Sequence, residues 1–92
     1  MMNEVEYPVD GTLDLHTFQP QELKDLIPEY IKICREKNIL QIRIIHGKGK
    51  GFLRRTVHAI LDKQPVVIQY WHEGGSGGSW GATVVQLKPN KI

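Results

Sequence analysis

Two stretches of helical periodicity alternate with short β-branched runs in this 92-residue chain, and that alternation leaves it few ways to fold. Leu23, Leu26, Ile27, Tyr30, Ile31 and Cys34 recur at i, i+3 and i+4, which marks one buried stripe of a helix over residues 20–37. Pro20 suits its first turn, Glu22 and Asp25 complement its positive end, and Asn38 is a suitable stop. Pro28 removes a backbone hydrogen bond inside it, so a kink or a break is expected there. The second stripe, Leu53, Val57, Ile60 and Leu61, belongs to a helix that starts at Phe52, ends before Pro65 and turns Arg54, Arg55, His58 and Asp62 to solvent. Strands are expected over residues 12–16, 41–46, 66–71 and 82–88. In the third of these, alternation assigns Val66, Ile68 and Tyr70 to one face and Val67, Gln69 and Trp71 to the other.

The order β-α-β-α-β-β, with right-handed crossovers, predicts an α/β two-layer sandwich: a four-stranded mixed sheet with both helices on one face. The first two strands should be parallel neighbours, and the last should return antiparallel. The other sheet face, carrying Arg43, Gln69, Trp71, Gln86 and Lys88 together with Val67 and Val84, is left to solvent or a partner. A chain of this length has room for one domain, here residues 12–88, preceded by a flexible acidic arm (1–11) and followed by a tail (89–92).

Charge is distributed unevenly. The formal net charge is +2, but Glu4, Glu6 and Asp10 precede Gly11 while all 12 Lys and Arg residues follow it. The body of the domain is therefore basic, which suits a polyanionic partner. No apolar run approaches the ~20 residues of a membrane span. The N-terminal Met-Met-Asn-Glu-Val-Glu lacks the basic and apolar regions of a signal peptide, and a single cysteine makes no internal disulfide, so a cytoplasmic location is expected. Cys34 continues the apolar stripe and reads as core.

Between the second strand and second helix stands His46-Gly47-Lys48-Gly49-Lys50-Gly51. Alternating glycines let the backbone take positive φ and approach a ligand, and the helix behind them presents unpaired N–H groups and a partial positive charge. From His46 to Asp62 the chain carries Lys48, Lys50, Arg54 and Arg55 and no intervening carboxylate. This is a phosphate-binding turn. Phe52 occupies the place of the third glycine of G-x-G-x-x-G and no Lys-Ser/Thr pair closes a Walker pattern, which disfavours a nucleotide cofactor. His16 and His46 end the first two strands, at the carboxyl edge where such sheets bind ligands, with Asp14 on the face of His16. Imidazoles titrate near neutrality, so the two rings suit the proton transfers of phosphodiester cleavage, and Asp14 suits the fixing of the His16 tautomer. Their alternative reading is hydrogen bonding within a turn. Asp14, His16 and His46 also form a donor set for Mn²⁺ or Zn²⁺, and a poorer one for Mg²⁺, although no short His-x-His or Cys-x-x-Cys spacing supports a metal site. His58 and His72 lie outside these motifs. Trp80, in the Gly/Ser-rich residues 73–81, suits either base stacking or packing back on the sheet.

Leu13-Asp14-Leu15-His16, the His46–Gly51 turn and Gly81-Ala82-Thr83, in that order, resemble the small MutS-related (Smr) domain. The resemblance covers residues 12–88. It implies a fold like the C-terminal domain of translation initiation factor three and, as in many members, an endonuclease that nicks DNA or cleaves RNA with little sequence preference. It implies catalysis by Asp14, His16 and His46, and phosphate binding by Gly47, Lys48, Gly49, Lys50, Gly51, Arg54 and Arg55. The partner expected is DNA or RNA, with no membrane, and the chain is expected to be a monomer or weak dimer. A non-catalytic DNA- or RNA-binding module is the alternative. Thr17 stands where the family usually has glycine, which puts the shape of that turn in question.

Overall fold

The strand that returns last is inserted into the sheet rather than added to its edge. The computed structural model describes residues 9–47, 51–73 and 81–90. The proposed flexible arm up to residue 8, Lys48, Gly49 and Lys50, the Gly/Ser stretch with Trp80, and the last two residues lie outside that set. The elements are β1 (Thr12–Asp14), a 3-10 turn (Pro20–Glu22), α1 (Leu23–Glu36), β2 (Gln41–Ile45), α2 (Phe52–Asp62), β3 (Val67–Glu73) and β4 (Ala82–Leu87). The sheet order is β1-β2-β4-β3, with β1 parallel to β2 and β4 antiparallel to both neighbours. The two-layer α/β sandwich is thus as expected.

Leu13, Ile42, Ile44, Val85 and Leu87 meet Leu23, Ile27, Tyr30, Ile31 and Cys34 of α1 and Val57 and Leu61 of α2 in one buried cluster. Both helices therefore share one face of the sheet. Burial pushes the Cys34 thiol pKa up, in keeping with a core residue rather than a nucleophile. The α1 helix runs unbroken through Pro28, so of the kink or break expected there the break is absent. It is closed by Asn38 at φ 61°, the left-handed position that favours Asn or Gly. The 3-10 turn that leads into it is closed by a glutamate, the Glu22 carboxylate accepting the Gln19 backbone N–H.

Tyr30 is fully buried and its hydroxyl accepts the Gly11 backbone N–H at 3.1 Å, which ties α1 to the start of β1. Burial raises its pKa to about 12. Tyr30→Phe leaves that amide without its partner and is expected to cost about 1–3 kcal/mol in urea unfolding. An unchanged midpoint and slope would show that the bond contributes nothing.

The third strand departs from the simple alternation. Val67 pairs with Leu87 and Gln69 with Gln86, so Ile68 is an extra residue in a bulge. Val67 consequently packs against the core together with Val66 and Tyr70, while Ile68 is exposed. Val67 thus leaves the open face to which alternation had assigned it, and Ile68 leaves the face of Tyr70. The open face instead carries Gln41, Gln86 and Gln69 in a hydrogen-bonded row, the Arg43–Glu73 ion pair and Trp71 across from Val84. At the C-terminal side the Arg35 guanidinium donates to the carbonyls of Lys88 and Pro89, holding that segment to α1. Among the described residues no helix is long and apolar enough to cross a membrane.

Candidate nucleic-acid interface

The candidate residues among those described gather at one end of the sheet, where β1 and β2 finish and β4 begins. The β1–β2 ladder continues one residue past β1 through Leu15 N–H to the Ile45 carbonyl, and the chain then turns, Phe18 N–H bonding the Leu15 carbonyl. Asn38 is the non-glycine residue with positive φ among those described, so Thr17 takes ordinary backbone angles and this turn does not require a glycine. Within it, the Asp14 Oδ1 accepts both the His16 backbone N–H and His16 Nδ1, each at 3.0 Å. The backbone bond is the larger reason that the Asp14 carboxyl lies below its usual range, with the imidazole reinforcing it. A carboxylate can only accept. His16 therefore holds its proton on Nδ1 and, when neutral, presents Nε2 as a free base. The ring is exposed and Nε2 has no partner among the described residues. Asp14, His16, Ile45, His46 and Gly47 line a cavity of about 500 Å³, which brings the three expected catalytic residues to one hollow.

His46 is placed differently from His16. It follows β2 and, by alternation, turns to the helix side, where only 7% of its surface is exposed. Its Nδ1 lies 3.1 Å from the Gly47 carbonyl oxygen and its Nε2 lies 2.9 Å from Thr83 Oγ1. Both ring nitrogens are committed inside the protein. The His46 and Gly47 backbone N–H groups both donate to the Gly81 carbonyl, fixing the start of the glycine turn to the start of β4. Gly47 and Gly51 take φ of 85° and 87°, as an approach of backbone to ligand requires. At Gly51, the residue before α2, an added Cβ would lie 3.2 Å from Arg55 Nη1 and 3.6 Å from Arg54 Nη2, so both guanidinium groups gather over the positive end of the helix.

Two histidines and a threonine complete the cluster. His58, expected on a solvent-facing stripe, is half-buried: its Nε2 lies 2.8 Å from the same Thr83 Oγ1, and its ring rests 4.7 Å from that of Tyr70. The Tyr70 hydroxyl in turn donates to Asp62, clamping α2 to β3. His72 stacks on His46 with ring centroids 5.8 Å apart and planes 16° from parallel. The available signal was Thr83. Alternation sends Thr83, Val85 and Leu87 to the core side of β4, and a hydroxyl buried there demands partners. Among the described residues no group of three or more His, Cys, Asp or Glu is arranged to hold a metal ion. A second hollow of about 460 Å³, between the 3-10 turn and α2, is lined by Pro20, Lys24, Thr56 and Ile60 among others and contains no imidazole or carboxylate.

Burial is the main reason that the pKa values of His46 and His58 fall below 6.5, with the neighbouring imidazoles and the Arg54 cation adding to it. A basic group with a depressed folded-state pKa binds its proton more readily when unfolded. Stability from these rings is thus complete above the unfolded value near 6.5 and declines as pH falls below it toward the folded values. The melting temperature is expected to rise with pH up to about 7, and a His46→Gln, His58→Gln double variant to lose most of that slope. An equal slope in the variant would assign the pH dependence elsewhere.

Comparison with known proteins identifies the domain. The family model for the Smr domain matches residues 13–88. Endonuclease MutS2 of Halothermothrix orenii is 36% identical over 84 residues, a match covering 87% of this chain and 10% of that protein. Endonuclease MutS2 of Thermomicrobium roseum is 31% identical over 80 residues, again with 87% of this chain and 10% of that protein covered. The chain therefore spans about a tenth of the length of these relatives. Among solved structures, the Smr domain of Thermus thermophilus MutS2 superposes with a TM-score of 0.73 at 26% identity, covering 87% of this chain and all of that one. YdaL, a stand-alone small MutS-related protein from Escherichia coli, gives 0.72 at 25% identity over 90% of this chain and 68% of its own. With the family model matching residues 13–88 and the fold superposing on a solved Smr domain, the chain belongs to the Smr domain family.

Proposed function

We propose that this domain is a cytoplasmic nucleic-acid endonuclease in which Asp14 and His16 carry the proton transfer. The observation that supports it most is the Asp14–His16 pair itself, with the ring oriented by the carboxylate and Nε2 free beside the cavity shared with His46 and Gly47. Nε2 removes the proton from the attacking water or ribose hydroxyl as that oxygen bonds to phosphorus, and the departing oxygen takes a proton from solvent. Negative charge developing on the phosphoryl oxygens meets Arg54, Arg55 and the first N–H groups of α2. Gly47, Gly51 and the intervening Lys48-Gly49-Lys50 form the phosphate-binding turn. His46 holds that turn from within rather than meeting the substrate, since neither of its nitrogens is open. The relatives named as endonucleases lend the same direction.

The commitment of His46 to internal bonds also favours a second reading, a non-catalytic DNA- or RNA-binding module using the same cations. Incubating the purified domain with supercoiled plasmid and with structured RNA, with and without chelator, decides between them. Nicked plasmid or RNA fragments support the enzyme, and loss of the products with chelator would add a divalent cation, Mg²⁺ or Mn²⁺, to the site. Retardation of either nucleic acid without any cut, whether or not divalent cations are supplied, supports the module.

A further inference from the structure

We propose that Thr83 and His58 are positioning residues of this site, forming with His46 a one-way hydrogen-bond relay that holds the His46 ring and, through it, the Gly47 carbonyl. The direction follows from which atoms can donate. The Gly47 carbonyl only accepts, so His46 Nδ1 carries a proton. In the neutral ring Nε2 then bears a lone pair and must accept, which makes the Thr83 hydroxyl the donor across 2.9 Å. Having spent its single proton, Thr83 Oγ1 accepts at 2.8 Å, so His58 carries its proton on Nε2. The relay reads His58 Nε2–H to Thr83 Oγ1–H to His46 Nε2, and His46 Nδ1–H to the Gly47 carbonyl.

Each link constrains the next. A proton placed on His46 Nε2 would set two N–H donors against Thr83 and leave the hydroxyl proton without an acceptor in a residue that is fully buried. His58 can take up a proton at Nδ1, which has no partner among the described residues, and still donate from Nε2. His58 is therefore the titrating end of the relay and His46 its fixed end. His72 covers one face of the His46 ring and helps hold it in plane with these bonds. Three elements, α2, β4 and the end of β2, thereby set one backbone carbonyl at the mouth of the phosphate-binding turn.

The effect on cleavage rests on the endonuclease reading, whereas the relay itself is read without nucleic acid. Long-range ¹H–¹⁵N spectra of the imidazoles in the full chain are expected to show His46 protonated at Nδ1 alone and His58 protonated at Nε2. Thr83→Val, which keeps the shape and removes the hydroxyl, is expected to shift the His46 Nε2 resonance as that nitrogen loses its donor and to lower kcat by roughly 10- to 100-fold, on the order of a 1 Å misplacement, with KM little changed. Thr83→Ser should restore both. His58→Phe keeps a ring against Tyr70 and leaves the Thr83 proton on His46, so the His46 tautomer should persist there even if Thr83→Val folds poorly. A parent spectrum with His46 protonated at Nε2 overturns the relay whatever the protein cuts. So does a folded Thr83→Val with unchanged His46 shifts. A parent with the expected tautomers that cuts nothing overturns the endonuclease reading and leaves the relay standing.

Discussion

His16→Ala is expected to lower cleavage by about 10²- to 10⁴-fold while nucleic-acid affinity falls only slightly, the range general-base catalysis contributes. The ring touches little else: it is exposed, and its contacts among the described residues are both with Asp14, two positions earlier. Removing it should therefore spare the fold and the cations that hold the ground state, so the loss belongs in kcat. Asp14→Asn should be milder, since an amide oxygen still accepts from Nδ1–H but no longer stabilises the imidazolium. His46→Ala should also abolish cleavage, for a different reason and with a different accompaniment. It deletes the bonds to Gly47 and Thr83, so it should lower the melting temperature as well, which His16→Ala should not. Single-turnover rates at saturating enzyme, with melting curves for each variant, separate the two cases. A His16→Ala protein that cuts at the parental rate places the chemistry elsewhere on this surface.

Legibility from sequence followed the range of the forces involved. The α2 helix, the stop at Asn38 and the burial of Cys34 depend on neighbours within one or two turns, and each stands where spacing puts it. The 3-10 turn at residues 20–22 and the bulge at Ile68 did not show. The first requires knowing that Glu22 folds back on the Gln19 amide, and the second that β4 slots between β2 and β3, which sets the register of β3 from outside its own sequence. The site divides in the same way. The Asp14–His16 pair is a contact between residues two apart, and the strand-end position of His46 was visible in the apolar run before it. His58 was assigned to solvent because a helical wheel knows only its own axis. In the folded domain that side of α2 leans over the first residues of β4, where Thr83 offers an oxygen 2.8 Å away. A threonine at a core-facing strand position was the one local sign of a polar cluster, and alternation along β4 was enough to find it.

Neutralising Lys48, Lys50, Arg54 and Arg55 together to glutamine should remove most of the affinity for nucleic acid and flatten its dependence on salt. Each phosphate contact releases counterions, so each one lost reduces the log–log slope by ~0.9 on duplex DNA and ~0.7 on a single strand. Four lost contacts would lower the duplex slope by roughly 3.6, and affinity near physiological salt by several orders of magnitude. Arg54 and Arg55 converge over Gly51 at the start of an 11-residue helix, so their loss also uncovers the helix terminus, and the arginine pair should matter at least as much as the lysine pair. Arg54→Gln has a second consequence, because that cation is one of the groups depressing the pKa of both His46 and His58. Its removal should let those rings protonate at higher pH, so the fall in melting temperature toward acid pH should be smaller than in the parent, whereas Arg55→Gln should leave that fall unchanged. Fluorescence anisotropy across a salt series, with one short duplex and one single strand, measures the slopes directly. Parallel lines of equal intercept for parent and quadruple variant would show that nucleic acid does not sit on this turn, and the site would then have to be sought on the open face of the sheet.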